Sequence, residues 1–147
     1  MRTTFIVETT GPACHEITGE VATWLKRSDA ADGVLTLMIR HTSASLLIQE
    51  NADPDVQADL LDWLDRVAPP ADDPSMSWLR HVSEGPDDMP AHLKASVLPT
   101  SIQIPIADGV MQLGRWQGIY LVEHRDAPHR RQVSAVFLGD RSTRKSR

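Results

Sequence analysis

The chain carries a strong hairpin signal near its C-terminal end. In "SIQIPIADGVMQLGRWQGIYLVEHR", residues 101–125, the pair Asp108-Gly109 separates two apolar runs. Asp-Gly is favoured in type I′ turns, whose two central residues both need positive φ, and such turns join antiparallel strands. The β-branched runs at residues 2–9 and 131–140 also read as strands. The sequence therefore predicts antiparallel sheet at both ends of the chain.

One helix is clearly predicted between these strands. "NADPDVQADLLDWLDRVAPP" offers Asp53 as the N-cap and Pro54 as the first helical residue. Its apolar side chains recur at helical spacing, at Val56, Leu60, Leu64 and Val67. Pro69 and Pro70 end the pattern.

Two shorter helices are also predicted. Residues 16–29 have apolar side chains at helical spacing, with Thr18 as the expected cap of the first turn. Residues 91–98 form the third, short segment. Strands at both ends with helices between them indicate an α+β protein, an antiparallel β-sandwich with a few helices.

Two histidines are expected where strands end. In "VLTLMIRHTSASLLIQE" the strand breaks at "HTSA", and alternation puts His41 on the apolar face of Ile39. Alternation likewise groups His124 with Tyr120 and Val122. A partly desolvated imidazole at a sheet edge is suited to metal binding or general base catalysis. The alternative is that each ring only hydrogen-bonds a carbonyl.

Length and charge limit the possible partners. A chain of 147 residues is one ordinary domain, which we expect to span residues 1–140, followed by a short, disordered basic tail at 141–147. The net charge is 15 − 20 = −5, and the tail holds four cations, so the body is near −9. An acidic body argues against nucleic-acid binding, which uses a basic face.

Cysteine usage and hydropathy indicate a cytoplasmic protein. Cys14 is the only cysteine, which rules out an intrachain disulfide and a multi-cysteine zinc site, and we interpret it as structural. The N-terminus lacks the apolar region of a signal peptide, and no apolar run approaches membrane-spanning length. No motif for an organic cofactor is evident.

The densest group of titratable side chains lies in "HVSEGPDDMPAHLKAS", residues 81–96. From His81 to His92, five of twelve residues are His, Glu or Asp. The glycine and prolines among them favour a fixed loop conformation, which could hold ligands. Histidine with carboxylate suits zinc or another divalent transition metal, whereas carboxylates with water suit magnesium. A solvent-exposed acidic turn is the alternative.

Several nearby groups suit an anionic substrate. Lys94 and Arg125 could hold phosphate, arginine as a bidentate fork, and Ser43 offers a hydroxyl beside the strand break. Ser43 close to His41 also leaves open a nucleophile and base pair. No G-x-S-x-G elbow supports that chemistry.

Three blocks together resemble a known family. "HTSASLLIQENADPDVQADLLDWL", "HVSEGPDDMPAHLKAS" and "LGRWQGIYLVEHR" occur in this order and look like the signature blocks of the YjbQ-like family. The resemblance implies an α+β sandwich that assembles as a homotrimer. It also implies secondary thiamine-phosphate synthase activity, which joins a hydroxymethylpyrimidine diphosphate to a thiazole phosphate with loss of pyrophosphate. Arg115 departs from the threonine usual in the third block.

The resemblance and the residue chemistry together give a set of expected site residues. The family's polar positions fall on His41, Glu50, Asp53, His81, Glu84, Asp87, Asp88, His92, Gln117, Glu123, His124 and Arg125. We expect catalytic roles for His41, Glu84, Asp87 and Asp88, metal ligation by His81, His92 and His124, and substrate binding by Ser43, Lys94, Gln117 and Arg125. The metal would be zinc, magnesium or manganese, and it or the cations would neutralise the departing diphosphate.

Two other functions fit the same residues. The same ligands could activate water in a metal-dependent hydrolase of a small phosphorylated substrate. Alternatively, the protein could be a non-enzymatic trimer that binds a metal or a small molecule.

Overall fold

The computed structural model describes residues 1–143. Its eight strands are β1 (Arg2–Thr9), β2 (Ala13–Glu16), β3 (Ala30–Ile39), β4 (Ala44–Glu50), β5 (Ser101–Ala107), β6 (Val110–Met111), β7 (Gln117–Glu123) and β8 (His129–Arg141). The helices are α1 (Thr18–Arg27), α2 (Pro54–Val67), α3 (Asp88–Val97) and a 3-10 turn at Pro74–Met76. None of these helices is long and apolar enough to cross a bilayer.

The strands form two antiparallel sheets. The larger has the order β1-β8-β3-β5-β6 and the smaller the order β2-β7-β4. Inward-facing side chains of both sheets, such as Leu37, Leu46 and Leu121, join those of α1 in one core. A second apolar cluster lies around Leu64 of α2 and Tyr120 of β7. The α+β class with packed antiparallel sheets is confirmed.

Several local predictions are confirmed. Ala107 pairs with Val110 across Asp108 and Gly109, which have φ of 50° and 77°, as a type I′ turn requires. The side chain of Asp53 accepts the backbone N–H of Asp55 at 2.9 Å and caps α2.

Two local predictions near the N-terminus are wrong. The predicted first helix begins at Thr18 and not at residue 16, because the preceding residues 13–16 form β2 alongside β7. Thr18 does not cap the helix. Its hydroxyl accepts the backbone N–H of Ile119 at 2.8 Å, which ties α1 to β7 instead.

Hydrogen-bonded structure continues past residue 140 into the first residues of the basic segment. Arg141 is the last residue of β8 and pairs with Ala30, and the backbone N–H of Ser142 donates to the carbonyl of Asp29 at 2.7 Å. The first two residues of the predicted tail therefore bond to the neighbouring chain segments. Residues 144–147 of that tail lie outside the described residues.

Candidate metal centre

The loop before α3 brings distant residues of the acidic stretch together. Asp88 begins α3, and His92 follows one turn later on the same helix face. Gly85 adopts φ of 99°, a conformation that side-chain-bearing residues rarely take, and the chain folds back there. This reversal brings the side chain of His81 next to that of Asp88, which follows it by seven residues.

Asp88 lies between the two histidines. Its Oδ2 is 2.7 Å from Nε2 of His81 and 3.5 Å from Nε2 of His92. The three candidate ligand atoms all lie within 4.8 Å of one another. Asp88 is only 3% exposed, whereas the side chain of His81 is 47% exposed. The group is therefore anchored at the carboxylate and open at one imidazole.

Arg125 holds the two adjacent aspartates. Its Nε donates to Oδ2 of Asp87 at 2.8 Å and its Nη1 to Oδ1 of Asp88 at 2.7 Å. Its Nη2 reaches the carbonyl of Glu84 at 3.3 Å, and the backbone N–H of Asp126 also donates to Asp87. A buried carboxylate, Asp88, and a partly buried one, Asp87, can lie side by side here because one guanidinium compensates both.

These contacts keep both aspartates ionised. Burial by itself would raise the pKa of Asp88, but the hydrogen bond with His81 and the charge of Arg125 outweigh it and leave that pKa below its ordinary value. For Asp87, burial is likewise outweighed by the N–H of Asp126 and by Arg125, so its pKa is also lowered. Both side chains are thus available as anionic ligands or hydrogen-bond acceptors.

A cleft of about 350 Å³ is lined by Asp87, the neighbour of Asp88, but not by His81, Asp88 or His92 themselves. Its lining includes His124, Lys94 and Asp87. His124 is 3% exposed, and its Nε2 lies 2.9 Å from the hydroxyl of Ser45. Burial and the charge of Lys94 lower the pKa of His124 from 6.5 to about 4, so the ring is neutral at pH 7.

The same cleft is rich in carboxylates. The acidic residues on its lining are Asp65, Asp72, Asp87 and Asp126. Nζ of Lys94 is 2.5 Å from Oδ1 of Asp65. The buried lysine therefore already has a carboxylate partner, and the cleft as a whole has an excess of negative charge.

The side chains of three expected site residues have partners outside this group. His41 accepts the backbone N–H of Gln132 at its Nε2 (2.8 Å), and burial, followed by the charge of Arg131, lowers its pKa. The hydroxyl of Ser43 accepts a hydrogen bond from Arg131 at 3.0 Å. Gln117 accepts the N–H of Gly114 and lines a different cleft, between α1 and the β5–β6 hairpin. The structure thus brings together the loop, α3 and the end of β7. Ser43 contacts the end of β7 only through its carbonyl, which accepts the backbone N–H of His124 at 3.3 Å.

The carboxylate of Glu84 lies at the outer edge of the group. Its Oε2 is 3.4 Å from Nε2 of His81, and its side chain is mostly exposed. His124, expected as a metal ligand, belongs to the cleft and pairs with Ser45. Within residues 1–143, the residues whose three ligand atoms lie close together are His81, Asp88 and His92.

Arg131, the buried partner of Glu123, is not among the site residues expected from the sequence. Its Nε donates to Oε2 of Glu123 at 2.7 Å, and both side chains are at most 3% exposed. A signal was present: Arg131 has the same strand parity as Val133, Ala135 and Phe137, which face the core. A charged side chain on the buried face of a strand requires a buried counter-charge.

The donor set fits a divalent transition metal. Two imidazole nitrogens and one carboxylate oxygen form the ligand set of several catalytic zinc and iron sites, which keep further positions open for water or substrate. Tetrahedral zinc places its ligand atoms about 3.4 Å apart. The 3.5 Å between His92 and Asp88 matches this spacing, and the 2.7 Å between His81 and Asp88 would have to open slightly. Magnesium prefers oxygen ligands and fits less well.

The fold and the site define a class of protein: a two-sheet α+β domain with a histidine and carboxylate group at the end of its smaller sheet. The family model described as "UPF0047 protein YjbQ-like" matches residues 3–140. The chain belongs to this YjbQ/UPF0047 family.

Relatives and solved structures agree with that membership. The UPF0047 protein sll1880 of Synechocystis is 43% identical over 135 residues, 92% of this chain and 89% of that protein. YjbQ of Salmonella typhimurium is 41% identical, over 86% of this chain and 88% of its own length. The crystal structure of a YjbQ/UPF0047 family protein from Clostridium acetobutylicum superposes with a TM-score of 0.82 at 36% identity, covering 92% of this chain and 99% of that chain.

Proposed function

We propose that the protein is a metal-assisted transferase of the thiamine-phosphate synthase type. It would join a pyrimidine diphosphate to a thiazole phosphate with loss of pyrophosphate. The observation that carries the proposal is the group of His81, Asp88 and His92, held by Arg125 beside a cleft of about 350 Å³. The three residues offer the ligands for a divalent cation, and the cleft next to Asp87 offers space for a small substrate.

The reaction mainly requires the charge of a departing diphosphate to be neutralised. A divalent ion held by His81, Asp88 and His92 would supply that neutralisation. The acidic lining of the cleft would otherwise repel a diphosphate. This explains why substrate binding here would depend on a metal.

The roles of the cations follow from their partners. Nε, Nη1 and Nη2 of Arg125 already donate to Asp87, Asp88 and the carbonyl of Glu84. Arg125 therefore orients the two aspartates and does not bind the substrate phosphate. Lys94 is paired with Asp65, whose side chain is 64% exposed, and could exchange that partner for a substrate phosphate. His124, neutral and buried in the cleft wall, would accept or return a proton at a ring nitrogen.

A synthase assay tests this function. Purified protein, supplied with zinc or manganese, is incubated with hydroxymethylpyrimidine diphosphate and thiazole phosphate, and mass spectrometry follows thiamine phosphate and pyrophosphate. We expect both products, lost in Asp88→Asn and kept in His129→Gln, because His129 is not part of the ligand group and bonds to the carbonyl of Ala127 instead. Release of phosphate or pyrophosphate without the acceptor would instead identify a hydrolase.

We also propose that the protein self-associates, as a homotrimer, through the outer face of the larger sheet. Apolar side chains on adjacent strands of that face are exposed: Ile6, Val34, Met38, Val136 and Leu138. Val34 and Leu138 are direct cross-strand neighbours. An apolar patch of this kind typically marks an interface. Separately, we propose a cytoplasmic location, on the cysteine usage and hydropathy of the sequence.

A further inference from the structure

A buried ion pair lies directly behind the candidate metal centre. Glu123 is 0% exposed and Arg131 3% exposed. Two nitrogens of the Arg131 guanidinium, Nε and Nη2, donate to the two carboxylate oxygens of Glu123. This bidentate arrangement fixes the orientation of both side chains.

The pair connects the two sheets. Glu123 ends β7 of the smaller sheet, and Arg131 lies on β8 of the larger one. The hydroxyl of Thr9, at the end of β1, donates to Oε2 of Glu123 at 2.7 Å. Arg131 also donates to the carbonyl and hydroxyl of Ser43, in the turn before β4. Four chain segments therefore meet at one carboxylate and one guanidinium.

Glu123 also fixes the backbone that carries the site. Its Oε1 accepts the backbone N–H of His124 at 3.0 Å and that of Arg125 at 2.9 Å. The direction in which the chain leaves β7 is thus set by Glu123. That direction determines where the guanidinium of Arg125 meets Asp87 and Asp88.

We propose that Glu123 and Arg131 are positioning residues for the metal centre, acting through Arg125 on the carboxylate of Asp88. The inference rests on the proposed metal-binding function. Stability alone is a poor explanation for the pair, because apolar residues of similar size often replace a buried ion pair without loss of stability. The pair instead offers directional hydrogen bonds that an apolar cluster lacks.

The test compares two double variants, each of which removes an ion pair between β8 and another strand. The first, Glu123→Leu with Arg131→Met, replaces the buried pair. The control, Glu8→Leu with Arg130→Met, replaces a mostly exposed pair between β1 and β8, whose Nε to Oε1 distance is 3.2 Å. One readout is the ¹⁵N NMR signal of the Arg125 Nε–H, assigned with Arg125→Lys and requiring no metal. The other is Co²⁺ affinity, followed by the visible absorption of the bound ion.

We expect the buried-pair variant to fold, to lose or shift the Arg125 signal, and to bind Co²⁺ about 10- to 100-fold more weakly. The control variant should keep the wild-type Arg125 signal and the wild-type Co²⁺ affinity. A folded buried-pair variant with the wild-type signal and with Co²⁺ affinity within about twofold of wild type would overturn the inference. Should that variant fail to fold, Arg131→Lys keeps the charge but not the fork, and the same two readouts decide.

The two proposals fail separately. If the wild-type protein binds no Co²⁺, the metal-binding function is wrong, and the Arg125 signal alone decides whether the buried pair positions Arg125. If the wild type binds Co²⁺ and the buried-pair variant binds it equally well with an unchanged Arg125 signal, only the positioning inference is wrong.

Discussion

His124 is a buried base whose protonation opposes folding. Its pKa is about 4 in the folded protein and 6.5 in the ordinary state, so the unfolded chain binds the proton more tightly. The contribution of this ring to stability is therefore complete above about pH 6.5 and is lost as the pH falls toward 4. Lys94 and Arg131 add to the penalty, and Glu123 opposes it.

This residue gives the first prediction. Between pH 7 and pH 4.5 the wild-type protein should lose about 2–3 kcal/mol of unfolding free energy through His124. His124→Gln should remove that part of the pH dependence and leave the part due to other groups, such as His41. Urea unfolding at several pH values measures both. Equal slopes with pH in the two proteins would contradict the assignment.

The sequence predicts some residues of the site and not others, for a physical reason. His81, Asp88 and His92 lie within twelve residues, so a local pattern reveals them. Ser45 and His124 are 79 residues apart, and their contact depends on the pairing of β4 with β7. Alternation places Arg131 on the buried face, but only the packing of two sheets shows that Glu123 meets it.

At the scale of elements, one close approach between strands requires two glycines. Gly33 of β3 pairs with Gly139 of β8. A Cβ on Gly33 would lie 2.3 Å from the carbonyl oxygen of Leu138 and 2.7 Å from Cα of Gly139. Backbone atoms cannot move aside as the end of a flexible side chain can. The two strands can therefore approach this closely only with glycine at this position.

Gly33→Ala should accordingly lower the unfolding free energy by about 1–3 kcal/mol. Gly19→Ala is the matched control, because nothing lies within 4 Å of a Cβ there and Gly19 is part of α1. Helix propensity predicts a gain of up to about 1 kcal/mol for that change. Chemical denaturation compares the two. A tolerated Gly33→Ala would mean that the strands are further apart than described.

The start of α2 gives a third prediction. Asp53→Ala removes the carboxylate that accepts the N–H of Asp55, and the expected loss is about 1 kcal/mol of unfolding free energy. Asp59→Ala, an exposed position within the same helix, serves as the control. Its effect on the midpoint of denaturation should be small. Similar losses for both variants would argue against a specific capping contribution.

Helix caps and turns could be predicted from the sequence because their patterns are local. Elements whose formation depends on tertiary contacts were harder to predict. The cap of α2 and the turn at Asp108-Gly109 follow from residues adjacent in sequence. The four residues of β2 have no clear strand pattern in the sequence. They form a strand because their backbone pairs with that of β7. The third helix was predicted to begin at residue 91, because the prolines before it suggested a loop. It begins at Asp88, since proline is tolerated in the first turn of a helix, where Pro90 lies.

For the whole molecule, the exposed face of the larger sheet predicts self-association. Leu138 is 70% exposed among other apolar side chains of that face. Leu138→Lys should shift the sedimentation coefficient from that of a trimer to that of a monomer, because a charge there would be desolvated on association. Val67→Lys, at an exposed position in the last turn of α2 and outside that sheet, should leave the assembly unchanged. A wild-type protein that sediments as a monomer would contradict this prediction.

The central claim is that His81, Asp88 and His92 bind a divalent metal ion. The most direct measurement is the metal content of the purified protein by mass spectrometry after reconstitution with zinc, manganese or magnesium and removal of free ions. We predict about one ion per chain, lost in Asp88→Asn and His92→Ala and kept in His129→Gln. Wild-type protein without a bound ion, or an ion retained in both ligand variants, would contradict the claim.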